Sequence, residues 1–247
     1  MKPSFLSVAL ITPLVLFFVT RALINDTVPQ DVQPVEAAEA NPAQLDPARH
    51  LAGVVARTVA MALAIGAFWS VYKRAFPLQM DRWAIIAGVA GSVLWIGICE
   101  LHLEPRILSA VGLPDSWLGF RSTVNPFTLY PDMSERAAFL VFRFALLAVL
   151  VPIAEELFLR GFLMRMVDAE HWSELPLQQI GRNGLIAGTM YGILSHPAEF
   201  ITAGIWFTMI SILMVRTGRF WNCVAAHAIT NLILGIYILI TGSWYLW

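Results

Sequence analysis

An apolar run, FALLAVLVPIAEELFLRGFLM from Phe144 to Met164, is interrupted near its middle by Glu155, Glu156 and Arg160. Arg143 and Arg165 bound it. At 1.5 Å per residue the run is about 32 Å long, one bilayer core, with Glu155 near mid-depth. An ionisable side chain at that depth costs at least about 2.5–3.5 kcal/mol, so it requires a partner or a polar cavity. Three such groups within six residues restrict the chain to membrane architectures that supply one.

The rest of the chain agrees with that restriction. Of its 247 residues, 58% are hydrophobic and 13% charged, against about 25% charged in soluble domains. Mean hydropathy is +0.68. The expected fold is an all-α, polytopic transmembrane helix bundle of about seven spans. Residues 1–142 would form N-terminal spans and outer loops, and residues 143–247 a four-helix core. The net charge of −1 gives no electrostatic basis for nucleic-acid binding. Cys99 and Cys223 lie in or beside apolar runs without CxxC spacing and read as small buried hydrophobes.

In chain order, the first span is Phe5–Ile24, a retained anchor because no small-x-small cleavage site closes it. An acidic, Pro- and Ala-rich linker follows, Asn25–His50, expected to be poorly ordered. Spans Leu51–Tyr72 and Trp83–Leu101 enclose the basic loop with Lys73, Arg74 and Arg82. Basic loops stay cytoplasmic, which puts the N-terminus inside. The segment Glu104–Ser134 would lie at the outer interface, anchored by Trp117, Phe120, Phe127 and Tyr130. Leu185–Val215 is too long for one span. Arg165, Arg182, Arg216 and Arg219 share one side only if two spans separate them, breaking at Ser195-His196-Pro197, where proline ends a helix. The last span, Trp221–Thr241, ends in the aromatic residues Trp244, Tyr245 and Trp247. Compact size, the acidic linker and no organelle signal point to a bacterial inner membrane.

Three polar islands interrupt the later spans. Glu156 and Arg160, at i and i+4, share a helix face and suit a structural ion pair. Glu155 is rotated by about 100° and points elsewhere, available for chemistry. Pro152 one turn earlier frees a carbonyl. His196 marks the second island. His227 and Asn231, again i and i+4, form the third. A carboxylate, a histidine and a His/Asn pair from separate helices supply a general base, a partner that positions water, and oxyanion donors. Taken singly, each has a structural reading: an intramembrane ion pair, a hydrogen-bonded histidine, interhelical glue. Arg57 is isolated and expected to snorkel from near a helix end. Glu100 and His102 read as interfacial, and Tyr191 and Trp206 as packing.

These residues resemble the CPBP (CAAX protease and bacteriocin-processing) intramembrane proteases, relatives of the Ras-converting CAAX endoprotease. EELFLRG matches their Glu-Glu-x-x-x-Arg motif, Ser195-His196-Pro197 the second motif, and HAITN, His227 to Asn231, the third. The resemblance covers about Arg143 to Thr241. It departs at Gly192, where the family usually has an aromatic residue; Tyr191 is one position earlier. His171, in a polar loop, is a weaker match for the second motif. The resemblance implies a glutamate-type endopeptidase: Glu155 and His196 activate water, His227 and Asn231 stabilise the oxyanion, and Glu156 with Arg160 hold the helix. It implies no cofactor and no metal, although Glu155, His196 and His227 form a conceivable zinc set. The core and Trp-rich end also resemble CAAX-protease-related proteins associated with exosortase sorting systems. The partners expected are the lipid bilayer and a membrane-anchored protein or peptide substrate. The rival readings are a non-catalytic scaffold or bacteriocin-immunity protein on the same fold, and a transporter, against which the crowding of the polar islands into the second half argues.

Overall fold

The computed structural model describes residues 2–24, 45–114, 118 and 124–247. Most of the linker Asn25–His50, and the anchors Trp117 and Phe120, lie outside the described residues. Among those described there is no strand. The helices are α1 (Pro3–Ile24), α2 (Pro47–Ala67), α3 (Trp69–Ala75), α4 (Arg82–Glu100), α5 (Leu103–Ala110), α6 (Pro126–Leu129), α7 (Met133–Asp168), α8 (Arg182–Ser195), α9 (Phe200–Thr217) and α10 (Phe220–Thr241). Six described helical segments are long and apolar enough to cross a membrane: α1, α2, α4, α7, α10, and α9 extended back to Pro197. The chain is a multi-pass helical membrane protein.

Helix α7 runs well beyond the expected Phe144–Met164. Its 36 residues amount to about 54 Å at α-helical rise, more than a bilayer core. Asp132 starts it, accepting hydrogen bonds from the N–H groups of Ser134 and Glu135. The Ser134 hydroxyl and these two amides hold the Asp132 carboxyl below its usual range. The second expected span also shifts: α2 begins at Pro47, capped by Asp46, and stops at Ala67, and Tyr72 lies on the separate α3.

One end of the bundle gathers the basic loops that the charge pattern grouped together. Asp81 receives Arg219 at 2.7 Å and Asn222 Nδ2 at 3.0 Å. Trp221 Nε1 donates to the Phe76 carbonyl at 3.0 Å, and the Gln178 side chain lies against Gly218. Residues 178 and 218 flank the α8–α9 hairpin, so its two legs leave from and return to the same end. The break falls at Ser195-His196-Pro197, as expected. At the opposite end Glu100 accepts from Tyr237, Tyr245 and Ser243. Trp247, at the chain's end beyond the last span, is buried: it turns inward against Arg143 and Phe144.

The most extensive helix pairing is α4 with α10. A seam of small residues permits it. A Cβ on Gly88 would meet Ile229 Cβ at 2.6 Å and the Ala226 carbonyl at 2.9 Å. Thr230 Oγ1 donates to the Gly88 carbonyl at 3.0 Å across this seam. Gly97, farther along α4, faces open space. Gly88→Val is therefore expected to cost about 1–3 kcal/mol by overpacking, seen as a lower thermal midpoint in detergent, whereas Gly97→Ala leaves the midpoint unchanged or raises it.

Candidate active site

The site is built on α7, where two π-helical stretches, Leu146–Leu150 and Leu157–Leu163, flank an α-helical turn, Val151–Glu156. Such widened turns recur at functional sites. The first has a local cause. Val151 N–H bonds to the Leu146 carbonyl, five residues back. In that register the group opposite the Leu147 carbonyl is Pro152, which has no N–H. Asn231 Nδ2 of α10 takes that carbonyl at 3.0 Å. The carbonyl freed by Pro152 is thus where α10 is pinned to α7.

One turn on, Glu156 and Arg160 are fully buried and bonded at 2.6 Å. Arg160 Nη2 also donates to the Phe207 carbonyl at 3.2 Å, with its guanidinium 5.5 Å from the Phe207 ring centre. The other Glu156 oxygen accepts from His227 Nδ1 at 3.0 Å. Glu156 therefore links α7 to α10, and Arg160 links α7 to α9. Both do more than the pairing within one helix that their spacing suggests.

Glu155 points to a different neighbourhood, as its rotation from Glu156 requires. Its Oε1 accepts from the Tyr191 hydroxyl of α8 at 2.8 Å. Its Oε2 lies 3.7 Å from His227 Nε2. His227 is thus set between two carboxylates, one at each ring nitrogen. Trp206 packs edge-on against the His227 ring, 4.8 Å between centroids, and is itself held by Thr230 Oγ1 at 3.2 Å.

His196 ends α8. Its Nδ1 lies 2.9 Å from Ser195 Oγ and 3.3 Å from the Gly192 carbonyl. The ring packs against Trp95 at 5.4 Å and Phe207 at 5.6 Å. Trp95, Trp206 and Phe207 form one aromatic wall joining His196 to His227. Gly192 is part of this arrangement: a Cβ there would overlap the Phe207 ring, coming within 2.8 Å of Phe207 Cβ. The departure from the usual aromatic residue at that position thus has a steric reason, and Tyr191, one place earlier, fills the neighbouring space.

Glu155, His196, His227 and Asn231 all line one cavity of about 480 Å³, together with Tyr191, Ser195 and Trp206. The charge-based topology puts His196 near one membrane face and His227 near the other, so their meeting needs a physical reason. Helix α8 supplies it. Its 14 residues reach about 21 Å, short of a bilayer core of about 30 Å. The hairpin tip therefore stops inside the membrane depth. Irregular backbone is tolerated there because it lines a cavity.

Three sequence readings are corrected. Tyr191 is a direct hydrogen-bond partner of Glu155 besides its packing against Phe158 and Phe207. Trp206 orients His227 besides filling space. Arg57 lies in the middle of α2, 6% exposed, and faces the cavity instead of snorkelling from a helix end. No spacing rule links Tyr191 to Glu155, 36 positions away; the signal available was a hydroxyl five residues before His196. His171 is exposed in its loop. Among the described residues no three of His, Cys, Asp and Glu are grouped to hold a metal ion.

Tyr191→Phe removes one hydrogen bond to the Glu155 carboxylate and little volume. Hydrogen bonds to charged groups contribute about 1.5–3 kcal/mol. The expected result is a loss of at least about tenfold in turnover, with the thermal midpoint nearly unchanged, measured on the purified protein.

Residues 137–233 match the family model described as "Type II CAAX prenyl endopeptidase Rce1-like". No curated protein and no solved structure gives a match. The matched segment contains every residue of the constellation, in the order Glu155, Glu156, Arg160, His196, His227, Asn231. Residues 137–233 are thus similar to CAAX-type prenyl endopeptidases, the similarity that the three motifs carry in the sequence.

Proposed function

We propose that the protein is an intramembrane endopeptidase of glutamate type, hydrolysing a peptide bond of a membrane-anchored protein or peptide. The observation that carries this reading is the Glu155 carboxylate, held between the Tyr191 hydroxyl and His227 Nε2 on a cavity that His196 and Asn231 also line. Glu155, with His196, takes a proton from water as its oxygen attacks the scissile carbonyl carbon. Nδ1–H of His196 directed at the Gly192 carbonyl leaves Nε2 as the basic nitrogen toward the water. His227, donating to Glu156 through Nδ1, offers Nε2–H to the oxyanion when both ring nitrogens are protonated. The Asn231 amide adds a second donor. Glu155 then passes its proton to the leaving nitrogen, the C–N bond breaks, and a new carboxylate and amine result. Oxyanion donors in a water-poor site typically supply about 10²–10³-fold each.

The reaction so written uses no metal. Cleavage of membrane-anchored peptides by the reconstituted protein is expected to persist in a chelator and to fall sharply in Glu155→Ala. Loss with chelator and return with zinc would assign the chemistry to a metal held by Glu155, His196 and His227 instead.

The same reading places the chain in a bacterial inner membrane with the basic end, Lys73, Arg74, Arg82, Arg165, Arg182, Arg216 and Arg219, in the cytoplasm. The contacts of Asp81 with Arg219, and of Gln178 with Gly218, support that grouping. Single cysteines at 182 and 216 should label from the same side of sealed vesicles; labelling from opposite sides would overturn it. For the substrate we favour a membrane-tethered C-terminal sorting segment of an exosortase-type system over a prenylated tail, on the resemblance of the core and Trp-rich end. Cleavage of only the prenylated member of a matched peptide pair would reverse that choice.

A further inference from the structure

Glu104 is a buried acid, 2% exposed, to which the proposed chemistry assigns no role. It sits on α5, ahead of the family-matched residues 137–233. Its Oε1 accepts from the main-chain N–H of Thr202 at 3.2 Å and from the Thr202 hydroxyl at 2.9 Å. Thr202 is the third residue of α9 and is fully buried. A helix start leaves its first N–H groups without partners inside the helix and carries a partial positive charge. Glu104 meets both needs from 98 positions away. An aliphatic side chain would fill the same space without the cost of taking a carboxylate out of water. What the carboxylate adds is direction: two donors on one residue fix where α9 begins.

The approach to Thr202 is made by a sharp turn after α4. His102 has φ 47°, and among the described residues it is the one non-glycine with positive φ. Such a conformation persists where surrounding contacts hold it, and the Glu104 bonds, two residues on, are contacts of that kind.

The start of α9 matters because both histidines of the site lean on that helix. The His196 N–H bonds to the Gly192 carbonyl at 3.1 Å, and the His196 carbonyl takes the Glu199 N–H at 3.1 Å. Its main chain is thus tied to α8 on one side and, on the other, to the short turn Pro197–Glu199 that enters α9. Trp206, four residues after Thr202 and so on the same helix face, packs on the His227 ring. Phe207 packs on the His196 ring. Arg160 moors α9 at the Phe207 carbonyl, about 7.5 Å along the axis from Thr202. Two moorings at that spacing oppose a pivot of the hairpin tip that either one alone permits.

We infer that Glu104 is a positioning residue: by fixing the start of α9 it holds the hairpin tip, and with it His196, in register with Glu155 on the shared cavity. The role rests on the endopeptidase reading, in which His196 works beside Glu155, and its test is read without turnover.

The test is a distance between nitroxides on Leu194→Cys and Val93→Cys, measured by pulsed electron spin resonance on the Glu155→Gln protein in phosphatidylcholine nanodiscs. Leu194 lies two residues before His196 and Val93 lies on α4; both are exposed, whereas Cys99 and Cys223 are buried and stay in place. Glu104→Ala is expected to broaden the distance distribution. Glu104→Gln keeps an oxygen for both donors and should restore the parent width. Thr202→Val removes the hydroxyl and keeps nearly the same shape, so it reads the same contact if Glu104→Ala does not fold. It should broaden the distribution too, and add nothing to Glu104→Ala in the double variant. With Glu155 restored, Glu104→Ala should lower kcat by about 10²-fold, the cost of a misplaced reacting group, and leave KM nearly unchanged. A lower thermal midpoint with an unchanged distribution would make the contact a structural clip and overturn the inference, as would failure of Glu104→Gln to restore the width. An unchanged distribution in a protein that cleaves removes only this inference; a broadened one in a protein that never cleaves removes only the endopeptidase reading.

Discussion

Glu155→Gln is expected to give a folded protein that no longer cleaves. The amide retains an oxygen to accept from Tyr191 and nearly the same volume, so packing around it is kept. What it loses is the proton-accepting oxygen opposite His227 Nε2. General-base catalysis contributes about 10²–10⁴-fold, and a drop of that size in kcat/KM, with thermal midpoint and elution volume as in the wild type, is the predicted signature. Glu155→Asp keeps the base but withdraws it by one methylene from Tyr191 and His227. It should fall between the two, since small misplacements of a reacting group cost about 10²-fold. Equal rates for wild type and Glu155→Gln would remove Glu155 from the chemistry.

The second large effect falls on stability. Arg160→Met leaves the Glu156 carboxylate buried with His227 as its remaining side-chain hydrogen-bond partner, and it also removes the donor to the Phe207 carbonyl. Breaking one side of a buried ion pair costs about 3–5 kcal/mol. The double variant Glu156→Gln/Arg160→Met removes the stranded charge while keeping an amide oxygen for His227 Nδ1. It should recover part of that loss, because a buried pair replaced whole is close to neutral. Thermal unfolding of the four members of this cycle in one detergent checks both statements. A double variant no more stable than Arg160→Met would show that the contact to α9 through Phe207 outweighs the ion pair.

The sequence made parts of this site legible for physical reasons. Charged groups inside an apolar run are expensive, so Glu155, Glu156 and Arg160 stand out, and 3.6-residue geometry separates the roles of the two glutamates. Proline at 197 marks the hairpin tip. The positive loops group correctly because Asp81, Arg219, Gln178 and Gly218 do meet at one end. Other features leave no periodic trace. A stretch of five to seven residues reads alike in α and π geometry, so neither widened turn of α7 leaves a mark in the sequence. Its start at Met133 was hidden because Glu135 and Arg136 extend it in polar residues beyond the apolar run. The short α8 could not be told from a full span, since Leu185–Val215 is apolar without a length mark. Arg57 looked solitary because its neighbours on the cavity wall, Arg21, His50 and Arg143, are distant in sequence. Tyr191 reads as packing until the fold places Glu155 opposite its hydroxyl.

Glycines carry part of the same lesson. Gly218 and Gly242 end α9 and α10 with φ of 65° and 73°, left-handed caps that glycine takes without strain. Gly192 has no such backbone demand; it is small because Phe207 lies on it. Only the structure separates these two uses.

The most direct test of the account is turnover of a cleaved membrane-anchored peptide in water enriched in ¹⁸O, followed by mass spectrometry of the product and of the protease peptide containing Glu155. A general base at Glu155 predicts one labelled oxygen in the new carboxylate of the product and none in Glu155 after many turnovers. Label accumulating in the Glu155 carboxyl would show that it attacks the substrate itself and would contradict the water-activating role assigned to it.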